Sequence, residues 1–174
     1  EPGYDPRRDC SSGDCVVAQI EHDEAILASR SADRAEALRF LIHFIADLHQ
    51  PLHVADDNDR GGNARLMRYH GQRVSLHHIW DDEVVAALGR DPAQIADRLW
   101  TSLSPAQKQA YGSGTPVDWA NGSFQIARGI YAGLRGNGLP DDYAWRQRAV
   151  TQAQLAKAGL RLAAARAGPM APEG

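Results

Sequence analysis

Two histidine–aspartate pairs with the same spacing lie in the first half of the chain. His43 and Asp47 are four residues apart, and His77 and Asp81 repeat that spacing. Four residues of α-helix turn through about 400°, so the two side chains of each pair would project from nearly the same face. Imidazole nitrogens and carboxylate oxygens are both common zinc ligands. A single pair of this kind is usually a simple hydrogen-bonded pair, so the chemistry depends on the pairs meeting.

A further histidine lies between the two pairs. His53 follows directly on Pro51-Leu52, just beyond the predicted end of the helix that carries the first pair. Imidazoles and carboxylates on core-facing helices are costly to bury unless something pairs them, and a divalent cation can pair several at once. We therefore predict a metal site formed by these five side chains: His43, Asp47, His53, His77 and Asp81.

The remaining polar candidates favour ordinary structural roles. We expect His22 to be solvated in a charged stretch, His49 to point away from the Asp47 face, and His70 to lie in a turn. His78 would be rotated by about 100° from His77, and Trp80 is typical of a core residue. The aspartates of the loop after His53 lack the ligand spacing of a calcium-binding loop and predict a solvated acidic loop: Asp56, Asp57 and Asp59.

The elements that must position these side chains are predicted to be helices. A helix over 32–49 would be capped by Ser31 and ended by Pro51, because the residue before a proline avoids helical geometry. Its apolar stripe would contain five residues: Leu38, Leu41, Ile42, Ile45 and Leu48. Further helices are predicted over 15–28, 76–88 and 141–167, with a β-hairpin within 64–76.

Three later helices show the same start signal. Asp91, Ser104 and Thr115 each stand directly before a proline, which places a capping side chain before a proline at the first helical position. The predicted fold class is therefore all-α, a mostly helical single domain with a small β-hairpin. A short tail follows Gly168.

Composition limits the possible functions. The 174 residues include 43% hydrophobic and 24% charged residues, a balance typical of one globular domain, and the formal net charge is −3. That charge argues against a basic module that coats nucleic acid. It leaves open an enzyme that binds phosphate through metal ions, because bound cations are absent from the count. No stretch reaches the roughly 18 apolar residues of a membrane span.

The two cysteines, Cys10 and Cys15, leave three alternatives open. A disulfide would indicate an oxidising compartment, a metal-binding pair would normally need a second pair elsewhere, and two free thiols need no partner. The turn-rich sequence between them, Ser-Ser-Gly-Asp, can bring the sulfurs together and favours the disulfide.

Several motifs together resemble those of a known family. The runs HFIADLHQPLH, DRGGN and LHHIWD, with DCSSGDC upstream and QLAKAGLRLA near the end, resemble the zinc-dependent single-strand-specific nucleases of the S1/P1 type, which include mung bean nuclease. The resemblance implies a mostly helical enzyme of the zinc-dependent phospholipase C/nuclease fold with three zinc ions. It also implies a secreted or periplasmic protein that cuts single-stranded DNA and RNA to 5′-phosphorylated products and has 3′-nucleotidase activity. We expect a monomer.

The resemblance assigns roles to individual residues. His43 would bind one zinc of a close pair, and Asp47 would bridge that pair and position the attacking water. His53, His77 and Asp81 would hold a third ion. The resemblance also implies a substrate contact by Asn63 and a disulfide between Cys10 and Cys15.

The family's other zinc ligands have no counterpart in this sequence. They include an N-terminal tryptophan and histidine, and nothing in residues 1–40 replaces them. We therefore expect residues 1–168 to be a nuclease domain lacking its N-terminal portion, with one zinc site complete, and 169–174 to be a tail. The alternatives are a zinc-dependent phospholipase C, although those enzymes tend to have glutamate at the position of Asp81, and a catalytically incomplete zinc-binding fragment.

Overall fold

The computed structural model describes residues 3–167 and is mostly helical, which confirms the predicted fold class. The α-helices are α1 (Pro6–Asp9), α2 (Val16–Ala28), α3 (Arg34–Leu48), α4 (Leu76–His78), α5 (Val84–Ala86), α6 (Pro92–Ser102), α7 (Pro105–Gly112), α8 (Pro116–Gly133) and α9 (Tyr143–Ala167). A 3₁₀ turn covers Pro51–Val54, a π-helical turn covers Ile79–Glu83, and the strands are β1 (Leu66–Tyr69) and β2 (Gln72–Ser75). Within the described part of the chain, no helix combines the length and apolarity needed to cross a bilayer.

The predicted capped helix starts are confirmed. The side chains of Asp91, Ser104 and Thr115 each accept a hydrogen bond from a backbone N–H in the first turn of α6, α7 and α8. Ser104 and Thr115 also form reciprocal capping boxes, in which two otherwise unpaired backbone N–H groups are satisfied. These starts depend only on neighbouring residues, which is why the sequence reveals them.

Two expectations for α3 are wrong. Ser31 does not cap the helix; its Oγ accepts from the Asp33 backbone N–H at 3.1 Å, and the helix begins later, at Arg34. Ile42 is 50% exposed and does not belong to the buried stripe, because it is rotated by about 100° from Leu41. The buried face of α3 is formed by Ala37, Leu41, Ile45 and Leu48.

The predicted hairpin is confirmed. β1 and β2 are antiparallel, with Tyr69 opposite Gln72, so that His70 and Gly71 form a two-residue turn. Both have positive φ, 47° and 76°, which is the type I′ geometry that matches the twist of the flanking strands. His70 therefore lies in the turn, as expected.

The segment after the hairpin differs from a uniform α-helix. Helical structure runs from Leu76 to Ala86, close to the predicted 76–88, but its middle is the π-helical turn. Asp81 lies inside that turn. Turns of this type are rare and often occur at functional sites. Trp80, also in this turn, is buried as predicted, and its Nε1 donates to the Tyr143 hydroxyl at 3.1 Å.

Two apolar clusters form the core, and α8 contributes to both. The first unites α2, α3 and the start of α8 through Val17, Ile20, Leu41, Ile45, Leu48, Trp119 and Ala120. The second unites the 3₁₀ turn, the hairpin, the π-helical turn, the end of α8 and the start of α9 through Leu52, Met67, Tyr69, Leu76, Ile79, Trp80, Val84, Ala127, Ile130, Tyr143 and Ala144. The chain passes from the first cluster to the second between α3, which carries His43 and Asp47, and the 3₁₀ turn, which carries His53.

The two cysteines near the start of the described chain are bonded to each other. Cys10 and Cys15 form a disulfide, which is the first of the three alternatives. The Cys15 residue is also the N-cap of α2, so the disulfide joins the segment around α1 to the start of that helix.

Helix α9 begins at Tyr143, two residues later than predicted. The expected end at Gly168 and the tail 169–174 lie outside the described residues.

Candidate metal centre

Three of the predicted ligands form a compact group. His53 Nε2 lies 3.4 Å from Asp81 Oδ1, and His77 Nε2 lies 3.2 Å from Asp81 Oδ2. The two imidazole rings stack with their centroids 4.9 Å apart. One ligand atom from each of the three side chains lies within 4.8 Å of the others. Two nitrogens and one carboxylate oxygen are the ligand set of many catalytic zinc sites.

The dimensions of this group fit a zinc ion after a small adjustment. Two zinc bonds of about 2.1 Å can separate their ligand atoms by about 4.2 Å at most, slightly less than the 4.8 Å spread. Rotation of exposed side-chain ends by a few tenths of an ångström closes that difference. The three side chains are 19–39% exposed, so a bound ion would be accessible to water.

The Gly61 carbonyl fixes the orientation of His77. The Nδ1 atom of His77 lies 2.7 Å from Gly61 O, so Nδ1 carries the proton and donates, leaving Nε2 as the ligand. Both Gly61 and Gly62 have positive φ. A Cβ on Gly61 would lie 2.5 Å from the Leu52 carbonyl oxygen, a distance that excludes any side chain. The double glycine therefore allows the loop to pass close to Leu52 and His77.

Gln50 supports the site, although the sequence analysis gave it no role. Its Nε2 donates to Asp81 Oδ1 at 2.7 Å, and its Oε1 accepts from the Leu52 backbone N–H at 2.6 Å. The same side chain thus orients a ligand carboxylate and caps the 3₁₀ turn that carries His53. A polar residue directly before a proline is the only local signal, and it points to capping alone.

The acidic loop was predicted to be solvated, and for Asp59 this is wrong. Asp59 is 7% exposed. Its Oδ1 accepts from the Gly62 backbone N–H at 2.7 Å and from the Tyr131 hydroxyl at 2.9 Å, and its Oδ2 lies 3.0 Å from Arg65 Nε. Burial and the bond to Asp59 raise the pKa of Tyr131. This carboxylate therefore fixes the double glycine to α8.

Asp56 organises the other half of the loop. Its Oδ1 accepts from the backbone N–H groups of Asp59 and Arg60, both at 2.8 Å, and of Gly61 at 3.3 Å. These bonds hold the pKa of Asp56 below its usual value. Asn58 and Arg60 have positive φ, an uncommon conformation that such a network can maintain.

The first histidine–aspartate pair continues the group along α3. Asp47 Oδ1 lies 3.7 Å from His53 Nδ1, and Asp47 Oδ2 lies 3.3 Å from His43 Nε2. His43 is at the margin, with 66% of its side chain exposed. All five predicted ligands thus form one row in which imidazoles and carboxylates alternate: His43, Asp47, His53, Asp81 and His77.

A cleft of about 1070 Å³ adjoins this row. Asp47, His53 and His77 line one part of it, and Tyr4 and Arg8 line another. Apolar side chains contribute as well, namely Phe44 and Phe124. Asn63 lies in the neighbouring loop with its side chain exposed, donating to the Arg60 carbonyl oxygen at 3.0 Å; its contact with substrate stays a prediction.

His49 belongs to a separate, buried network. Its Nδ1 lies 2.6 Å from the Ile45 carbonyl oxygen, and its Nε2 lies 2.6 Å from Arg161 Nη1. Burial lowers the pKa of His49 to about 4, so the imidazole is neutral, donating through Nδ1 and accepting through Nε2. Gln154 Nε2 donates to the His49 carbonyl oxygen at 2.9 Å. As predicted, His49 points away from the metal residues.

Comparison with known families agrees with this fold. The model of the S1/P1 nuclease family matches residues 1–166, and the chain therefore belongs to the S1/P1 nuclease family.

Individual relatives show the extent of the similarity. Nuclease S1 of Aspergillus oryzae is 30% identical over 188 residues, covering 93% of this chain and 64% of the relative. Endonuclease 4 of Arabidopsis thaliana is 30% identical over 92% of this chain and 64% of its own length. Nuclease P1 of Penicillium citrinum is 39% identical over 80 residues, 44% of this chain. The chain thus spans a little under two thirds of the length of the first two relatives.

Proposed function

We propose that the protein is a zinc-dependent endonuclease that hydrolyses single-stranded DNA and RNA to 5′-phosphorylated products and has 3′-nucleotidase activity. The observation that carries this proposal is the alternating row of three imidazoles and two carboxylates in a member of the S1/P1 nuclease family. Two carboxylates beside imidazole nitrogens attract cations, and nitrogen and oxygen ligands suit zinc.

Each member of the row has a proposed task. His53, His77 and Asp81 would hold one zinc ion, and His43 and Asp47 would contribute to a neighbouring pair; the family's three ions need ligands beyond these five. Bound zinc would lower the pKa of its water toward about 7 and stabilise charge on a phosphate oxygen.

The protein's own groups prepare this chemistry. Asp47, with 38% of its side chain exposed, can accept a proton from a water molecule and orient that molecule toward the phosphate. The Gly61 carbonyl holds the proton on His77 Nδ1, and Gln50 holds the Asp81 carboxylate. These supports keep the ligands oriented before the ion and the substrate bind.

The surroundings suit an unpaired strand. The cleft beside the row can receive a base that is not stacked in a duplex, and Asn63 would contact the substrate at its margin. Extracting a base from a duplex costs a few kcal/mol, which would give the preference for single strands. The Cys10–Cys15 disulfide supports a secreted or periplasmic location, and we expect a monomer.

Metal content and cleavage of the full-length protein test the proposal. Elemental analysis should find zinc, and labelled single-stranded DNA should be cut to 5′-phosphorylated fragments while the matching duplex is cut far more slowly. A chelator should abolish cleavage, and added zinc should restore it. Cleavage that persists without metal would contradict the mechanism. Hydrolysis of phosphatidylcholine without DNA cleavage would favour the phospholipase alternative, and zinc binding without either activity would favour a non-catalytic domain.

A further inference from the structure

Two arginines face each other across the hairpin and have no counter-charge among the residues that the structure describes. Arg68 of β1 is the direct partner of Arg73 of β2, and both residues are exposed. Neither guanidinium forms an ion pair or hydrogen bond with any described residue. Like charges directly opposite each other on a sheet are destabilising. The chain as a whole carries a net charge of −3, so this local positive pair is not a reflection of general basicity.

The hairpin geometry brings the two guanidinium groups onto one surface. Arg68 turns its backbone N–H and carbonyl away from β2, because they bond to Asn137 O at 2.6 Å and to the Leu139 N–H at 3.0 Å. Arg68 and Arg73 are therefore a non-hydrogen-bonded pair, the kind in which opposing side chains lie closest, with Cβ atoms about 5 Å apart. Two guanidinium groups this close can donate to the two non-bridging oxygens of one phosphodiester.

The register of the hairpin fixes this arrangement. Met67 and Tyr69, which flank Arg68 on β1, are buried in the second apolar cluster. Alternation along a strand then directs Arg68 outward. A one-residue slip would expose Met67 and Tyr69, so the packing of the inner face holds the two arginines opposite each other despite their repulsion.

The pair is also close to the metal residues along the chain. β2 ends at Ser75, and His77 follows two residues later. Arg73 is four residues before His77, which limits the distance between their Cα atoms to about 13 Å at 3.3 Å per residue. Even at the axial rise of about 3.4 Å per nucleotide in a duplex, which is shorter than the spacing in an extended single strand, a distance of this size corresponds to at most about four nucleotides.

From this placement we propose that Arg68 and Arg73 together bind a backbone phosphate of the single-stranded substrate, a few nucleotides from the phosphate that is cut. This inference rests on the proposed nuclease function and adds a second anchoring point. Guanidinium groups bind phosphate through paired hydrogen bonds, and phosphate contacts position a strand without reading its sequence. The pair would therefore favour longer substrates over dinucleotides, regardless of base.

Substrate length gives the decisive experiment. Arg68→Gln and Arg73→Gln are compared with Arg90→Gln, which removes an exposed arginine in the loop between α5 and α6. In the full-length, zinc-loaded protein, each hairpin variant should raise the KM for a 12-nucleotide strand about 10-fold, a typical effect of losing one charged hydrogen-bonding partner. The kcat for that strand and all constants for a dinucleotide should stay unchanged. Arg90→Gln should behave as wild type with both substrates.

Binding to an uncleaved strand separates this inference from the nuclease proposal. Fluorescence anisotropy with a phosphorothioate 12-mer measures the dissociation constant even if the protein cuts nothing. Each hairpin variant should weaken binding and reduce the slope of log affinity against log salt by about 0.7. The inference is overturned if Arg90→Gln weakens binding equally, if dinucleotide hydrolysis declines in parallel, or if the double variant Arg68→Gln/Arg73→Gln binds the 12-mer as tightly as wild type.

Discussion

His49 and His53 are four residues apart in sequence, yet their surroundings are opposite. Both nitrogens of the His49 ring have hydrogen-bond partners, the Ile45 carbonyl oxygen and Arg161 Nη1. The His53 ring is about one quarter exposed and lies between the carboxylates of Asp47 and Asp81. The first imidazole is paired with a cation and the second with anions.

This difference separates a structural histidine from a site-forming one. A buried neutral imidazole that accepts from arginine needs no further partner, even though its pKa is strongly lowered. An imidazole between two carboxylates brings a nitrogen ligand and two negatively charged groups together. A cation binds more favourably at such a place than at any one of these side chains alone. Burial and a shifted pKa therefore do not identify this site. The convergence of several ligand atoms on one point does.

Replacing a predicted ligand from the His53 side of this comparison should have the largest effect, on both zinc content and cleavage. Asp81→Ala removes the carboxylate shared by His53 and His77. Loss of supporting groups alone commonly costs 10–100-fold in metal affinity or activity, so we expect loss of about one zinc and at least a 100-fold decrease in single-strand cleavage. Elemental analysis and an oligonucleotide assay measure both quantities.

The neighbouring Asp82 provides a matched control for that experiment. It has the same type and adjacent position, but its carboxylate pairs with His78 on the surface, at 2.8 Å, and is not part of the row of predicted ligands. Asp82→Ala should keep full zinc content and near wild-type activity. Equal losses in both variants would mean that the structure's distinction between the two carboxylates is mistaken.

The His49 network should instead make the stability of the protein depend on pH. The folded-state pKa of about 4 lies below the ordinary value of 6.5, so the unfolded state binds more protons between these values. The free energy of unfolding should therefore fall as the pH decreases from about 6.5 to 4, by roughly 3 kcal/mol from this group. Urea unfolding of the chelator-treated protein across this range measures the change.

Two substitutions assign that pH dependence to its residue. His49→Gln keeps a polar group for Arg161 but cannot titrate, so it should flatten the decrease below pH 6.5 while lowering stability at neutral pH. His22→Gln removes an exposed histidine of α2 and should leave the profile unchanged. If the His49→Gln profile keeps the full slope, the network is not its source.

The smallest expected effect concerns the support of the metal ligands. Gln50→Ala removes the donor that lies 2.7 Å from Asp81 Oδ1, and we expect about a 10-fold loss of zinc affinity in a competition titration. Gln109→Ala, at an exposed position of α7, should leave the affinity unchanged. Wild-type affinity in the Gln50 variant would reduce its role to capping the 3₁₀ turn.

The helices and the hairpin were largely predictable, and the five residues predicted as ligands lie in one row. Asp91-Pro92, Ser104-Pro105 and His70-Gly71 act through adjacent backbone atoms, so local sequence is sufficient. The error at Ser31 arose because its hydroxyl bonds the Asp33 backbone N–H in a local turn before the helix, and the error at Ile42 arose because packing set the buried face of the helix. The π-helical turn around Asp81 likewise had no local signal in the sequence.

What the sequence by itself determined is the set of chemical groups: two histidine–aspartate pairs at helical spacing, with His53 between them. Only the tertiary structure decided their order in one row and the groups that support them. Gly61 is 16 residues from His77, Asp59 is 72 from Tyr131, and His49 is 112 from Arg161. Residue spacing encodes direction only within a turn or two of helix, whereas contacts across such separations depend on how the two apolar clusters pack.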